Sequence, residues 1–143
     1  MIKAKEFWEY LCEELNYRFF AGVPCDGLTA LYNKMDAQIM HYMPAVSENI
    51  ALGLINGARL ASVKGCVFID INRLYILMDT LVSFNLRYDV PIFIIAYCDE
   101  DKIDYKKILN LNKIKHRTFN GLSSLKYIAN KSGVLVLRKG DIE

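Results

Sequence analysis

Two uninterrupted apolar runs constrain the fold of this chain more than any other feature of its sequence. Residues 65–71 (GCVFIDI) and residues 90–97 (VPIFIIAY) hold one charged residue between them. A strand with one face in water alternates apolar and polar side chains, whereas a strand covered on both faces is apolar throughout. These runs therefore indicate buried strands of a parallel sheet, which lies between two layers of helices.

Shorter strands and helical segments alternate with these runs along the whole sequence. We predict further strands at residues 19–23, 39–46, 116–119 and 133–137. We predict helices at residues 3–16, 26–35, 48–61, 72–87, 105–112 and 122–130, where apolar residues recur at helical spacing. The sequence thus predicts a single α/β domain, residues 1–143, with three layers (α/β/α) around a mainly parallel six-stranded sheet.

The composition argues against several classes of protein. An apolar fraction of 53% indicates a packed globular chain rather than a disordered one. No apolar run reaches the roughly 18 residues that cross a bilayer, and residues 1–6 do not lead into a signal-peptide core. We therefore expect a cytoplasmic protein without membrane contact. The four cysteines form no Cys-x-x-Cys pair, which favours buried thiols over a metal site.

Positive charge is concentrated near the end of the sequence. Residues 101–143 hold 10 Lys and Arg against 4 Asp and Glu, whereas residues 1–100 hold 8 against 12. In the most basic segment, residues 113–117, the cations are mixed with aliphatic residues rather than with aromatic ones. This pattern favours a solvated helix face, or a surface for an acidic partner, over a nucleic-acid surface.

Glu48 is the main candidate for a functional residue. In parallel α/β sheets, ligands bind at the carboxyl ends of the strands, and Glu48 lies between the strand at 39–46 and the helix that follows it. Ser47, a favoured N-cap residue, precedes it, and apolar neighbours would withdraw its carboxyl group from water. The alternative is that Glu48 only stabilises the amino end of the helix.

Other candidates lie in the loops at the same edge of the sheet. Asp26 is equally consistent with a helix N-cap and with a group that faces a ligand. Cys25 lies in the same loop. For His41, a structural role at the start of a strand is favoured over a place in the pocket. The sequence contains no phosphate-binding lysine loop and no Gly-x-Gly-x-x-Gly motif.

Two segments together resemble the pyrimidine-binding (PYR) domain of thiamine-diphosphate-dependent enzymes. They are residues 20–28 (FAGVPCDGL) and residues 47–61 (SENIALGLINGARLA). The similarity is greatest to the phosphonopyruvate and sulfopyruvate decarboxylases and extends in outline over the whole chain. The segment at 47–61 is its most specific part.

The resemblance implies a role for Glu48. In the family, the matching glutamate hydrogen-bonds the pyrimidine ring of thiamine diphosphate and helps to place the proton that activates the cofactor. Around Glu48 we expect a catalytic role for Asp26, cofactor contacts from Gly22, Pro24 and Asn72, and a substrate pocket with Cys25, Asn49 and His41.

The chain departs from the family in the loop after the third strand. The decarboxylases carry a glycine-containing, amide-rich loop there, whereas residues 68–74 contain no glycine. A backbone with Cβ atoms cannot approach a ligand as closely as glycine does. Asn72 is the one residue that matches the amide-rich character of the family loop.

The resemblance also implies a partner. The chain lacks the Gly-Asp-Gly and Asn-Asn motif with which a companion (PP) domain holds the diphosphate through Mg²⁺. We therefore expect a partner subunit that carries this domain and the Mg²⁺, in an α2β2-like hetero-oligomer. The implied function is the α subunit of a split thiamine-diphosphate-dependent decarboxylase of a small 2-oxo acid. A carboligase subunit with the same cofactor is an alternative, and so is a non-catalytic scaffold or regulatory domain.

Overall fold

A computed structural model describes residues 1–100 and 102–143, and in this part of the chain six strands form one sheet in which every pairing is parallel. The strands are β1 (Phe19–Gly22), β2 (His41–Pro44), β3 (Gly65–Asp70), β4 (Phe93–Cys98), β5 (Lys115–Thr118) and β6 (Gly133–Arg138). Their order across the sheet is β2-β1-β3-β4-β6-β5, so β2 and β5 are the edges. The predicted mainly parallel, six-stranded sheet is confirmed.

The helices fall close to their predicted places. They are α1 (Ala4–Glu9), α2 (Thr29–Tyr32), α3 (Glu48–Leu60), α4 (Leu74–Thr80), α5 (Tyr105–Leu111) and α6 (Leu122–Lys131). Short 3₁₀ turns, Asp26–Leu28 and Ile71–Arg73, lead into α2 and α4. Wider π-helical turns, Tyr10–Glu14 and Leu81–Leu86, continue α1 and α4. The helix predicted at 26–35 is therefore shorter than expected.

The two faces of the sheet have cores of different character. On one face, α1, α2 and α6 pack over a cluster that is rich in aromatic rings, such as Trp8 and Phe20 with centroids 5.0 Å apart. On the other face, α3, α4 and α5 pack over a mainly aliphatic cluster. Because side chains alternate along a strand, β3 places Phe68 in the first core and its neighbours Val67 and Ile69 in the second.

The strand predicted at 39–46 is largely exposed, although most of its residues are apolar. It forms β2, pairs only with β1, and leaves most of its residues exposed. Val46, just beyond its end, is 90% exposed, and Met43 is 46% exposed. An apolar run thus marks a surface here, because this strand lies at the edge of the sheet.

The two predicted helix caps have different outcomes. Ser47 caps α3 as expected, since its Oγ accepts a hydrogen bond from the backbone N–H of Ile50 at 3.3 Å. Asp26 is not an N-cap. It lies inside the 3₁₀ turn, where its backbone carbonyl rather than its carboxylate accepts a hydrogen bond from Thr29 Oγ1 at 2.7 Å.

The expected burial of the thiols is confirmed for three of the four cysteines. Cys12, Cys66 and Cys98 are buried, Cys25 is partly buried, and none is in a disulfide. Within residues 1–100 and 102–143, no cluster of three or more His, Cys, Asp or Glu side chains is placed to hold a metal ion. None of the helices in that part of the chain has the length and apolarity needed to cross a bilayer.

Candidate functional site

A cleft of about 730 Å³ opens at the carboxyl ends of the central strands. It is lined by the loop at 23–27 after β1, by the start of α3, by the turn at 70–73 after β3, and by residues that end or follow β4 and β6. Segments far apart in sequence converge here because parallel strands all end at the same edge of the sheet. The size lies in the range of small-molecule sites.

Glu48 borders this cleft and is nevertheless withdrawn from solvent. It is the first residue of α3, and its side chain is only 6% exposed. The Ser47 cap turns the chain sharply into the helix, and the next turn of α3 buries Ala51 and Leu52 completely against the sheet. A carboxylate in such a place is costly unless a charge or a hydrogen bond compensates it.

Arg73 provides that compensation. Its Nε donates a hydrogen bond to Glu48 Oε1 at 3.2 Å, and its side chain is 50% exposed. Arg73 is the last residue of the Ile71–Arg73 turn, which Asp70 starts by accepting a hydrogen bond from the backbone N–H of Asn72 at 2.9 Å. The glycine-free loop after β3 therefore places the guanidinium group of Arg73 against the carboxylate of Glu48.

Five of the predicted site residues lie together at the cleft. They are Pro24, Cys25, Asp26, Glu48 and Asn72. The carboxamide of Asn72 already has partners on both sides. Its Nδ2 donates to the carbonyl of Glu100 at 3.2 Å, and its Oδ1 accepts from the backbone N–H of Lys102 at 3.1 Å. Asn72 thus ties the segment after β4 to the turn after β3.

Three predicted site residues do not line the cleft. His41 begins β2, so it lies at the amino end of a strand, away from the carboxyl ends that form the site. Asn49 is exposed in the first turn of α3. Gly22 is buried at the end of β1, where a Cβ atom would collide with the carbonyl oxygen of Phe68. Close strand pairing, rather than access to a ligand, explains the glycine at this position.

Residues outside the predicted site also line the cleft. Arg73 and Lys139 are its two cations among the described residues, and Tyr97 forms part of one wall. The rule that loops after parallel strands face the ligand points to Arg73 after β3 and Lys139 after β6. Nothing local in the sequence indicates that Arg73 reaches Glu48.

The charge balance of the cleft is negative. Its lining holds two cations and the carboxylates of Asp26, Glu48, Asp70 and Asp99. Burial raises the pKa of the Cys25 thiol, the backbone N–H of Gly27 opposes this shift, and the charge of Asp70 adds to it. The thiol is therefore protonated at neutral pH, which argues against Cys25 as a nucleophile.

The topology of this sheet is an α/β fold that solved structures of larger proteins share. This assignment comes from solved structures, because no family model and no curated protein matches the sequence. One similar structure is a protein from Mycobacterium smegmatis provisionally described as a thiamin diphosphate-dependent enzyme. It has a TM-score of 0.69 and 14% identity, and the match covers 95% of this chain and 30% of that protein.

A second similar structure is 2-oxoglutarate:ferredoxin oxidoreductase from Magnetococcus marinus, solved with 2-oxoglutarate, coenzyme A and succinyl-CoA bound. The TM-score is 0.71 at 9% identity, and the match covers 95% of this chain and 28% of that protein. This chain therefore spans about a third or less of the proteins it resembles. At these identities the likeness shows the fold.

Proposed function

We propose that this chain is the PYR-domain (α) subunit of a split thiamine-diphosphate-dependent 2-oxo acid decarboxylase. The observation that carries this proposal is the carboxyl group of Glu48, 6% exposed, on the wall of a cleft at the carboxyl ends of the strands. The segments at 20–28 and 47–61, which resemble the phosphonopyruvate and sulfopyruvate decarboxylases, support the assignment to this reaction class. The fold shared with two larger proteins is consistent with it.

The donor set in the cleft fits an aminopyrimidine ring. Glu48 offers a carboxyl group out of water, and its partner Arg73 is half-exposed, so Arg73 can move away into solvent. Pro24 and Val46 add apolar surface at the rim of the same cleft. When bound, thiamine diphosphate supplies the carbon that adds to the keto group and the electron sink for decarboxylation. Glu48 would hydrogen-bond the ring and hold or transfer a proton at its carboxyl oxygen.

Exposed apolar residues near Glu48 in the chain support the need for a partner. We call these residues together the edge face. They are Met43 in β2, Val46 just beyond it, and a stripe on α3 formed by Ile50, Gly53, Leu54 and Gly57. The stripe has the i, i+3, i+4, i+7 spacing of one helix side, and a side chain added at either glycine would meet nothing within 4 Å.

Apolar patches of this kind mark interaction sites, and small residues allow another backbone to approach closely. In the proposed assembly, the partner subunit covers the edge face and carries the PP domain with its Mg²⁺. Paired copies of each subunit would give an α2β2-like hetero-oligomer, by analogy with the split decarboxylases. The active site would then lie at the interface, next to Glu48.

One observation favours a second candidate, a scaffold or regulatory PYR-like domain without catalysis. Arg73 occupies a carboxyl oxygen that the cofactor would need, and it comes from the loop in which the chain departs from the decarboxylases. A carboligase subunit would use the same Glu48 chemistry and differ only in the fate of the product.

The test is to co-express the chain with a candidate partner subunit that carries a diphosphate-binding domain. Thiamine diphosphate and Mg²⁺ are added, and CO2 release is measured with a panel of 2-oxo acids that includes phosphonopyruvate and sulfopyruvate. We expect Glu48→Gln to abolish turnover in an intact assembly. Glu13→Gln, at an exposed glutamate after α1, is the matched control.

Each result decides between the candidates. Equal rates for wild type and Glu48→Gln would exclude the role of Glu48 in activation. An intact assembly without activity on any acid would support the scaffold. If an added aldehyde acceptor is built into a carbon–carbon product faster than free aldehyde is released, the carboligase is supported instead.

A further inference from the structure

The pair between Glu48 and Arg73 leaves most of the arginine side chain unused. Among the described residues, Nε is the only nitrogen of Arg73 with a hydrogen-bond partner. The guanidinium group presents five N–H donors in a planar fork that matches a carboxylate, so its two terminal amino groups keep their binding capacity. Because half of the side chain is exposed, these groups are accessible to a small molecule in the cleft.

The cleft needs such a cation if it is to accept an anionic substrate. A 2-oxo acid carries a carboxylate, and four carboxylates among the lining residues would repel it. Only Arg73 and Lys139 oppose them within the described lining. Of these two, Arg73 is the one that already binds a carboxylate, that of Glu48, and its fork can bind a carboxylate through two hydrogen bonds.

We propose that Arg73 binds the carboxylate of the 2-oxo acid and that it moves to the substrate from Glu48 when Glu48 engages the cofactor. This inference rests on the proposed function. In the free chain, Arg73 compensates the buried charge of Glu48, which would otherwise be costly. When a ring takes over the Glu48 carboxyl group, the guanidinium of Arg73 is released into the same cleft, where the carboxylate of the substrate replaces that of Glu48 as its partner.

This role also gives a reason for the departure from the decarboxylase pattern. The turn after β3 contains no glycine, and its compact 3₁₀ geometry, fixed by the Asp70 cap, ends with Arg73 at the cleft. In this chain the turn therefore supplies a charged side chain where the family loop supplies backbone and amide groups.

The experiment uses the assembled enzyme and the variants Arg73→Met and Arg73→Lys. The first measurement is the affinity for thiamine diphosphate without substrate, by calorimetry. We expect Arg73→Met to bind the cofactor about 3- to 10-fold more tightly, because no cation competes for Glu48. Arg59→Met is the matched control, since residue 59 lies about 16 Å further along the axis of α3, and its cofactor affinity should equal that of wild type.

The second measurement compares a substrate that has a carboxylate with one that lacks it. For each variant, kcat/KM is determined for decarboxylation of the 2-oxo acid and for ligation of the corresponding aldehyde, which needs the same activated cofactor. We expect Arg73→Met to lower the ratio of kcat/KM for the acid to kcat/KM for the aldehyde about 100-fold, mainly because KM for the acid rises. Arg73→Lys should restore part of this ratio, because it keeps the charge and loses the fork.

The outcomes separate the inference from the proposed function. If turnover depends on Glu48 and Arg73→Met affects acid and aldehyde equally, the role of Arg73 is overturned and the function stands. If turnover does not depend on Glu48, the proposed function fails. Where turnover is absent, calorimetry with the 2-oxo acid itself decides, since equal affinity of wild type and Arg73→Met would overturn the inference.

Discussion

Two polar pairs connect α3 to the segment after β3, and they are built in opposite ways. Glu48, at the first residue of the helix, pairs with a half-exposed cation across the edge of a cleft. Two turns further on, Asn56 and Asn85 form a closed pair of amides. Asn56 Nδ2 donates to Asn85 Oδ1 at 3.1 Å, and Asn85 Nδ2 donates to Asn56 Oδ1 at 2.7 Å.

The two pairs differ in whether a ligand can replace one of the partners. Both amides are buried, and Asn85 Nδ2 also donates to the carbonyl of Val90 at 3.1 Å. A neutral network that is satisfied inside the protein rigidifies the core and offers nothing to a ligand. The ion pair of Glu48 and Arg73 is charged and open on one side. The amide pair therefore has the properties of a structural element, and the ion pair has those of a site.

The largest expected effect comes from Glu48→Gln, which should remove activity and preserve the fold. In the proposed assembly, we expect kcat to fall by about 10²- to 10⁴-fold, the range for loss of a proton-transfer group. The free energy of unfolding should change by less than about 1 kcal/mol, because Arg73 can return to solvent and leaves no buried unpaired charge. Steady-state kinetics and urea denaturation measure the two quantities. A large loss of stability with unchanged kcat would show that Glu48 has a structural role, like Asn56 and Asn85.

Asn85→Ala should do the reverse. It leaves the amide of Asn56 and the carbonyl of Val90 without their partner in a buried place, which we expect to cost about 2–4 kcal/mol of unfolding free energy. Urea denaturation measures the loss, and cofactor affinity should stay at the wild-type value. Asn33→Ala, at an exposed asparagine after α2, is the matched control.

A double replacement tests whether the amide pair acts as a unit. In Asn56→Leu with Asn85→Leu, both polar partners are removed together, so the loss should be smaller than the sum of the single losses. Additive losses would show that the two amides contribute independently and would weaken the contrast with Glu48 and Arg73.

The fold was predictable because burial on both faces leaves a trace in local sequence. The apolar runs at 65–71 and 90–97 became β3 and β4, the paired strands at the middle of the sheet. The order of strands leaves no such trace. The run at 39–46 has similar composition, yet β2 lies at the edge and exposes Val46. A local run of apolar residues does not show whether the strand it forms is buried in the core or exposed at the edge of the sheet.

The candidate site was predictable in part, for the same physical reason. Glu48 was identified from its place between a strand and a helix, which is a local feature. Its contact with Arg73 spans 25 positions, and the pair of Asn56 with Asn85 spans 29. Such contacts depend on how turns and helices approach one another in space, so the sequence did not indicate them.

Gly22→Ala tests whether a residue close to the cleft belongs to the fold or to the site. A methyl group at residue 22 would meet the backbone of Phe68, so we expect a loss of about 1–3 kcal/mol in unfolding free energy, with unchanged cofactor affinity. Gly53→Ala is the matched control for the stability of the isolated chain, because its methyl group has open space there and should stabilise α3 by about 0.5–1 kcal/mol. Weaker cofactor binding without loss of stability would show that Gly22 contributes to the site rather than to the fold.

The smallest effect concerns the thiols, whose reactivity shows directly which regions solvent can reach: the open cleft or the closed interior of the sheet. Cys25 lines the cleft and is partly buried, whereas Cys66 is sealed inside the sheet. In the native protein we expect a thiol reagent such as DTNB to modify Cys25 first. The reaction should be slower at pH 8 than that of an unstructured peptide thiol and should accelerate as the pH rises beyond 9.0, because burial raises the pKa of Cys25 above that ordinary value.

Cys25→Ser is the control for this labelling, and it should remove the first modified thiol. Burial also raises the pKa of Cys66, so its reaction should await unfolding in urea. If the wild type and Cys25→Ser lose the same number of thiols at the same rate, the cleft does not give access to residue 25. If Cys66 reacts in the native protein, the sheet opens on the time scale of labelling. The core would then be less rigid than the buried pair of Asn56 and Asn85 implies.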